Sequence, residues 1–288
     1  MRILLTGADG FTGRFFKMAA VRAGHEVVPL SADLTNKSAV VADVLKIKPE
    51  AVVHLAAISF VGHTDETAFY GVNVVGSTNL LTALVALEAI PKKVLIASSA
   101  NIYGNCEYSP ISEDQLPAPL NHYAASKLAM EHMVATYLDR LPVVVTRPFN
   151  YTGAGQATNF IIPKLVDHFA RRASVIELGN LHVEREFNDV RMVCDAYLSL
   201  LEQGKPGEIY NVCSGEPHTL QHVLDNLRAL TDHEIEVRIN PAFVRRNELR
   251  RLYGDPSKLR ELAARSDRKL HQPGLREMLA WMLTEAIR

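Results

Sequence analysis

Short apolar runs alternate with longer amphipathic stretches through the first half of the chain. Ile3-Leu4-Leu5-Thr6, Glu26-Val27-Val28-Pro29-Leu30, Ala51-Val52-Val53-His54-Leu55-Ala56, Lys93-Val94-Leu95-Ile96-Ala97-Ser98 and Val143-Val144-Val145-Thr146 predict five strands. Pro49 precedes the third and Pro148 stops the fifth. Between them, apolar residues recur at helical spacing: Phe15, Phe16, Ala19, Ala20 and Ala23, then Val40, Val41, Val44 and Leu45 within 36–46. Two longer helices are predicted over 73–87 and 121–138. Apolar strands separated by helices mean a parallel sheet covered on both faces, with right-handed crossovers. Ligands of such α/β sheets sit at the carboxyl ends of the strands.

Past residue 150 the rhythm changes. Residues 160–171 and 188–201 predict helices; 209–212 and 235–239 predict strands. Connections lengthen and carry Arg245, Arg246, Arg250 and Arg251. The expected division is a main α/β domain over 1–150 and a smaller lobe mainly from 151–288, with some elements returning to the main sheet.

Composition narrows the function. With 288 residues, 48% hydrophobic and a formal net charge of -1, the chain lacks the basic excess of nucleic-acid or membrane-surface proteins. No apolar run approaches the ~20 residues of a membrane span. A strand right at the N-terminus argues against a signal peptide. Cys106, Cys194 and Cys213 are far apart and lack metal-ligand spacing; they predict free thiols in a reducing, cytoplasmic setting and no metal.

Chemistry concentrates at three places. Gly7, Gly10 and Gly13 follow the first strand and open the first helix. Glycine there admits backbone angles closed to other residues, and a helix N-terminus favours a bound phosphate. The spacing is Gly-x-x-Gly-x-x-Gly, and its position predicts a dinucleotide site. Tyr123 and Lys127 stand four apart and so share one helix face. A phenol has a pKa near ~10, and an adjacent ammonium lowers it toward use as a proton donor. Ser98-Ser99 ends the fourth strand, where a hydroxyl can orient a carbonyl oxygen toward Tyr123. Together these groups suit hydride transfer from a nicotinamide, with Tyr123 as general acid.

In this order the residues resemble the extended short-chain dehydrogenase/reductases that act on nucleotide sugars. The resemblance is carried by Thr6-Gly7-Ala8-Asp9-Gly10-Phe11-Thr12-Gly13, His54-Leu55-Ala56-Ala57, Asn73, Ser98-Ser99-Ala100-Asn101-Ile102-Tyr103-Gly104 and Tyr123-x-x-x-Lys127. It implies a Rossmann-type doubly wound parallel sheet with a smaller C-terminal substrate lobe, and a Ser99/Tyr123/Lys127 triad. It also implies dinucleotide contacts from Gly7, Gly10, Phe11, Thr12, Gly13, Asp33, Leu34, Leu55, Ala56, Ala57, Asn73, Tyr123, Lys127 and Pro148. Three later stretches, 147–156, 179–190 and 210–215, are similar to those of GDP-6-deoxy-4-keto-D-mannose reductases. This implies that Ser99, Asn101, Asn150, Arg185, Arg245 and Glu248 meet a GDP-linked sugar, the arginines taking phosphate.

Departures from the family pattern sharpen the expectation. Dehydratases of the family place an acidic pair after the catalytic hydroxyl; here Ala100 and Asn101 stand there, so the groups needed for removing water are missing. An acidic residue ending the second strand would hold the ribose of NAD; the position holds Ser31. Arg14, just past the glycine loop, is either a 2′-phosphate partner or a surface residue. The expected cofactor is therefore NADPH, with NADH or NAD as alternatives.

The expected activity is reduction at C4 of GDP-4-keto-6-deoxy-D-mannose, giving GDP-D-rhamnose or GDP-6-deoxy-D-talose. The alternatives are an NAD-dependent nucleotide-sugar 4-epimerase and a non-catalytic dinucleotide-binding sensor. Leu128, Met130, Met133, Val134, Tyr137 and Leu138 give the 121–138 helix a wide apolar face. With the 73–87 helix, this predicts a two-fold homodimer contact.

Overall fold

The computed structural model describes residues 1–243, 250–265 and 268–287. The first half runs β1 (Arg2–Thr6), α1 (Phe11–Arg22), β2 (Glu26–Pro29), α2 (Lys37–Ile47), β3 (Ala51–His54), α3 (Glu66–Tyr70), a π-helical turn (Gly71–Gly76), α4 (Ser77–Val85), β4 (Lys93–Ala97), α5 (His122–Ala135) and β5 (Val143–Pro148). The second half continues with β6 (Tyr151–Thr152), α6 (Ile161–Ala170), β7 (Val175–Leu178), β8 (Glu184–Arg185), β9 (Asn188–Asp189), α7 (Val190–Gln203) and β10 (Ile209–Val212). Then come β11 (His218–Thr219), α8 (Leu220–Thr231), β12 (Glu236–Ile239), β13 (Arg251–Leu252), α9 (Ser257–Ala263) and α10 (Leu275–Ile287).

Six strands form one parallel sheet in the order β10-β5-β4-β3-β1-β2. Successive side chains on a strand face opposite ways, and both faces of this sheet are apolar. Ile3 and Leu5 of β1 pack with Phe16 of α1 and with Val193, Tyr197 and Leu200 of α7. Leu4 of the same strand packs on the other side, with Val40 and Val44 of α2, Leu80 and Leu84 of α4, and Met130 and Val134 of α5. Burying both faces explains why these strands read as unbroken apolar runs. Edge strand β10 and helix α7 come from beyond residue 150, as expected of elements returning to the main sheet.

The remaining C-terminal elements have their own core. Leu165 and Phe169 of α6, Val223, Leu224 and Leu227 of α8, and Met278, Leu279 and Met282 of α10 close over Ile176 and Leu178 of β7. β7 pairs with β12, and β8 lies between β11 and β13 in a small three-stranded sheet.

Two expectations change. The helix expected over 73–87 begins earlier: α3, the π turn and α4 run on without a break from Glu66 to Val85. Fused in this way, they make one helix long and apolar enough, by length and composition, to cross a membrane, where the sequence pattern predicts none. Here half of it is buried, packed on α2 and α5. The helix expected over 188–201 starts at Val190, because Asn188–Asp189 pairs as a strand with Tyr151–Thr152. Asp189 then caps α7, accepting from the Arg191 N–H at 2.7 Å.

Candidate active site

The glycine loop turns tightly between β1 and α1. Gly7 has a φ of +70°, and a Cβ there would stand 2.8 Å from the Ala56 nitrogen. A Cβ on Gly13 would reach to 2.0 Å from the Gly7 carbonyl oxygen. Both positions therefore need glycine for close packing of strand, loop and helix. The helix N-cap is Gly10, which offers no side-chain cap, so the first amides of α1, those of Phe11 and Thr12 among them, are left for a ligand. Leu55 and Ala56 line the loop from the end of β3, both N–H groups donating to Thr6 Oγ1 at 3.1 and 3.0 Å. These features fit a dinucleotide diphosphate.

Beyond β2, Asp33 accepts from the Thr35 N–H and hydroxyl, both at 2.8 Å. Those bonds hold its carboxyl below the ordinary carboxylate value. Leu34 is buried, and its carbonyl accepts from Asn79 at 2.8 Å. Ala57 is half-buried past the end of β3, and Pro148 is buried at the end of β5.

Asn73 is placed differently from the expectation. Its side chain is fully buried in the π turn. It donates to Ser126 Oγ at 3.0 Å and to the Ile58 carbonyl at 3.3 Å, and accepts from the Ile58 N–H at 3.0 Å. It ties the segment after β3 to α5 and has no surface left for a cofactor.

Ser99, Tyr123 and Lys127 meet at the carboxyl end of β4. Asn121 caps α5, accepting from the Ala124 N–H at 2.9 Å, which fixes Tyr123 and Lys127 on the first turns. The Tyr123 hydroxyl faces the Ser99 side chain, which favours its ionised form. Ser99 Oγ accepts from the Asn101 N–H and side-chain amide, each at 3.2 Å. Lys127 Nζ donates to the Ala97 carbonyl at 2.7 Å.

The electrostatics depart from the expectation of an ammonium-acidified phenol. Burial pushes the Tyr123 phenol up, with only the nearby Ser99 opposing it. Burial also pulls Lys127 down to about 8, while Glu131 one turn on works to raise it. Both groups are out of water, one Lys127 N–H is held by the Ala97 carbonyl, and desolvation is the largest influence on each.

Three features of the surroundings are given no role of their own by the sequence. Tyr151 reaches the glycine loop: its hydroxyl lies 2.8 Å from Thr12 Oγ1 and its ring stacks on Phe11. Burial lifts its phenol to about 12. Glu131 takes two bonds from Arg147, at 2.7 and 3.1 Å, with both side chains buried; only the Lys127–Glu131 spacing on α5 could have hinted at it. Ser98 Oγ is buried at the sheet end without a partner among the described residues.

The substrate side is less gathered. Asn150 is half-buried after β5, its carbonyl accepting from the Asn188 N–H at 2.9 Å. Asn101 is half-buried beside Ser99. Arg185, also half-buried, sits on β8 opposite His218 of β11. Arg245 and Glu248 lie outside the described residues.

Comparison with known proteins follows the same lines. The family model described as GDP-mannose 4,6 dehydratase matches residues 12–263. GDP-6-deoxy-D-talose 4-dehydrogenase of Aggregatibacter actinomycetemcomitans is 38% identical over 264 residues, covering 90% of each chain. GDP-6-deoxy-D-mannose reductase of Pseudomonas aeruginosa is 34% identical over 276 residues, again 90% of each. The solved structure of RMD from Pseudomonas aeruginosa complexed with NADPH superposes with a TM-score of 0.90 at 30% identity, covering 99% of this chain and 98% of that one.

Proposed function

The chain belongs to the GDP-mannose 4,6 dehydratase family, and from that premise we propose that it reduces the C4 ketone of GDP-4-keto-6-deoxy-D-mannose. The product is GDP-D-rhamnose or its C4 epimer, GDP-6-deoxy-D-talose. Its relatives are nucleotide-sugar oxidoreductases, and the chain is an enzyme of that class using a nicotinamide dinucleotide.

One observation carries the reading. Ser99 and Tyr123 face each other beside buried Lys127 at the sheet end, whereas the two positions after Ser99 hold Ala100 and Asn101. Proton donor and carbonyl clamp are in place for reduction; the carboxylates that dehydration needs are not.

When bound, the dinucleotide supplies the hydride to C4. Ser99 and Tyr123 both bond the carbonyl oxygen and hold it at the mouth of the cleft. As negative charge gathers there, Tyr123 passes its phenolic proton to the alkoxide, so the ketone becomes an alcohol with hydride on carbon and proton on oxygen. Lys127 supplies positive charge beneath Tyr123 and takes a ribose hydroxyl. The uncapped start of α1 receives the dinucleotide diphosphate. Asn150 and Arg185 take the diphosphate of the substrate, and Arg245 and Glu248 serve its nucleoside; this gives chemistry to 1–150 and substrate binding mainly to the 151–288 lobe, with Asn150 at the border.

Two copies associate through the α3–α4 and α5 helices into a homodimer. Val75 and Leu138, each more than two-fifths exposed on those helices or just past their ends, give this face its apolar character.

The decisive experiment supplies GDP-4-keto-6-deoxy-D-mannose with NADH or NADPH and follows loss of reduced-nicotinamide absorbance. NMR of the product gives the configuration at C4. Loss of absorbance with a 4-hydroxy product is expected; a product differing from the substrate only in configuration, with no net oxidation of cofactor, would replace reduction by epimerisation.

A further inference from the structure

The turn after β2 holds an internal anion. Ser31 follows the glycine loop by about 20 residues, the interval at which an acidic residue meets the ribose in dinucleotide-binding sheets. Although β2 itself ends without that acid, Asp43 on α2 brings one to the same turn. A single oxygen, Asp43 Oδ2, accepts from the Ser31 N–H at 2.8 Å, the Ser31 hydroxyl at 2.9 Å and the Ala32 N–H at 3.1 Å. Two successive backbone N–H groups and a hydroxyl are a donor set that suits a phosphate oxygen. Here a carboxylate tethered to the same chain occupies it.

The charges nearby reinforce this. Partial burial works against ionisation of Asp43, but the bonds from Ser31 and Ala32 and the charge of Lys46 outweigh it and hold its pKa below the ordinary carboxylate value. Arg14, the basic residue at the start of α1, is turned toward Gly155, donating from Nη2 to its carbonyl at 3.1 Å.

We propose that Asp43 sets the dinucleotide preference of this enzyme, favouring NADH over NADPH because it fills the donor set and repels a 2′-phosphate. The proposal rests on reading the glycine-loop cleft as a dinucleotide site. A carboxylate facing a doubly charged phosphate across a solvent-exposed turn corresponds to roughly tenfold in affinity.

The test is fluorescence titration of the purified protein with NADH and with NADPH, without substrate. The wild type is expected to bind NADH roughly tenfold more tightly than NADPH. Asp43→Asn keeps an acceptor for the turn and removes the charge. It is expected to tighten NADPH roughly tenfold while NADH stays within about twofold. Equal or tighter binding of NADPH by the wild type, or an unchanged ratio in the variant, overturns the role of Asp43 and leaves the dinucleotide site standing. Binding of neither dinucleotide overturns the cleft assignment itself, and the proposal with it.

Discussion

The Lys127 ammonium donates to the Ala97 carbonyl at 2.7 Å, one residue before the serine pair that ends β4. This bond places a positive charge at the sheet end, yet burial has lowered its pKa to about 8, against the pull of Glu131. As pH rises through that value, Lys127 loses its proton while the Tyr123 phenol, pushed up by burial, keeps its own. The alkaline limb of the rate profile therefore reports Lys127. We expect kcat/KM to fall about tenfold per pH unit above roughly pH 8. A profile flat to well above pH 9 would mean that the ammonium plays no part in turnover.

Tyr123→Phe removes the proposed proton donor and leaves the ring in its packing against Phe69. Turnover is expected to drop by at least about a hundredfold. Dinucleotide affinity should change by less than about threefold, since the glycine loop and α1 are untouched. Steady-state rates and a binding titration on one preparation separate the two; a variant keeping more than a few per cent of the wild-type rate would remove Tyr123 from the role.

Gly13→Ala tests the loop as a cradle. The added Cβ meets the Gly7 carbonyl at 2.0 Å, and the neighbour is backbone, which cannot swing aside. The loop must open or α1 must shift. Dinucleotide affinity is expected to fall by about a hundredfold or more, and stability by roughly 1–3 kcal/mol. Titration and chemical denaturation measure the two effects separately.

Much of this was legible in the sequence, for physical reasons that vary from place to place. The strands were visible because β1, β3 and β5 are buried on both faces. Tyr123 and Lys127 were visible because helical spacing puts them on one side of α5. By contrast α3 buries only Phe69, so no apolar stripe in the sequence marks the start of the long helix. Motif order puts Asn73 at the cofactor but says nothing of which way a side chain turns. Contacts such as Tyr151 to Thr12 join residues 139 apart in sequence, and local pattern cannot register them. The same holds for Asp43, whose partners lie a turn and half a helix away.

The face formed by the π turn and the turn that follows α5 predicts association. Val75 is 51% exposed and Leu138 42% exposed, an apolar presentation that a second copy would cover. Sedimentation at micromolar concentration is expected to give a dimer. Val75→Arg should shift it to monomer, because a charge there would be buried without a partner. A wild-type monomer at that concentration would exclude the arrangement.

Glu131 and Arg147 give the last prediction. Their paired hydrogen bonds are buried, and Arg147 goes on to donate to the Tyr103 hydroxyl at 3.0 Å, which donates in turn to Asn211 at 2.7 Å on β10. The chain thus links α5 to the edge of the sheet, with Lys127 one helical turn from its end. Glu131→Gln leaves the Arg147 charge without its counter-ion, and loss of one partner of a buried pair is worth about 3–5 kcal/mol of stability. The same substitution withdraws the carboxylate that raises Lys127, so its pKa falls further and the alkaline limb moves to lower pH. A variant that lost stability but kept the wild-type pH profile would confine Glu131 to holding the fold; movement of both ties the buried pair to the charge state of the active-site lysine.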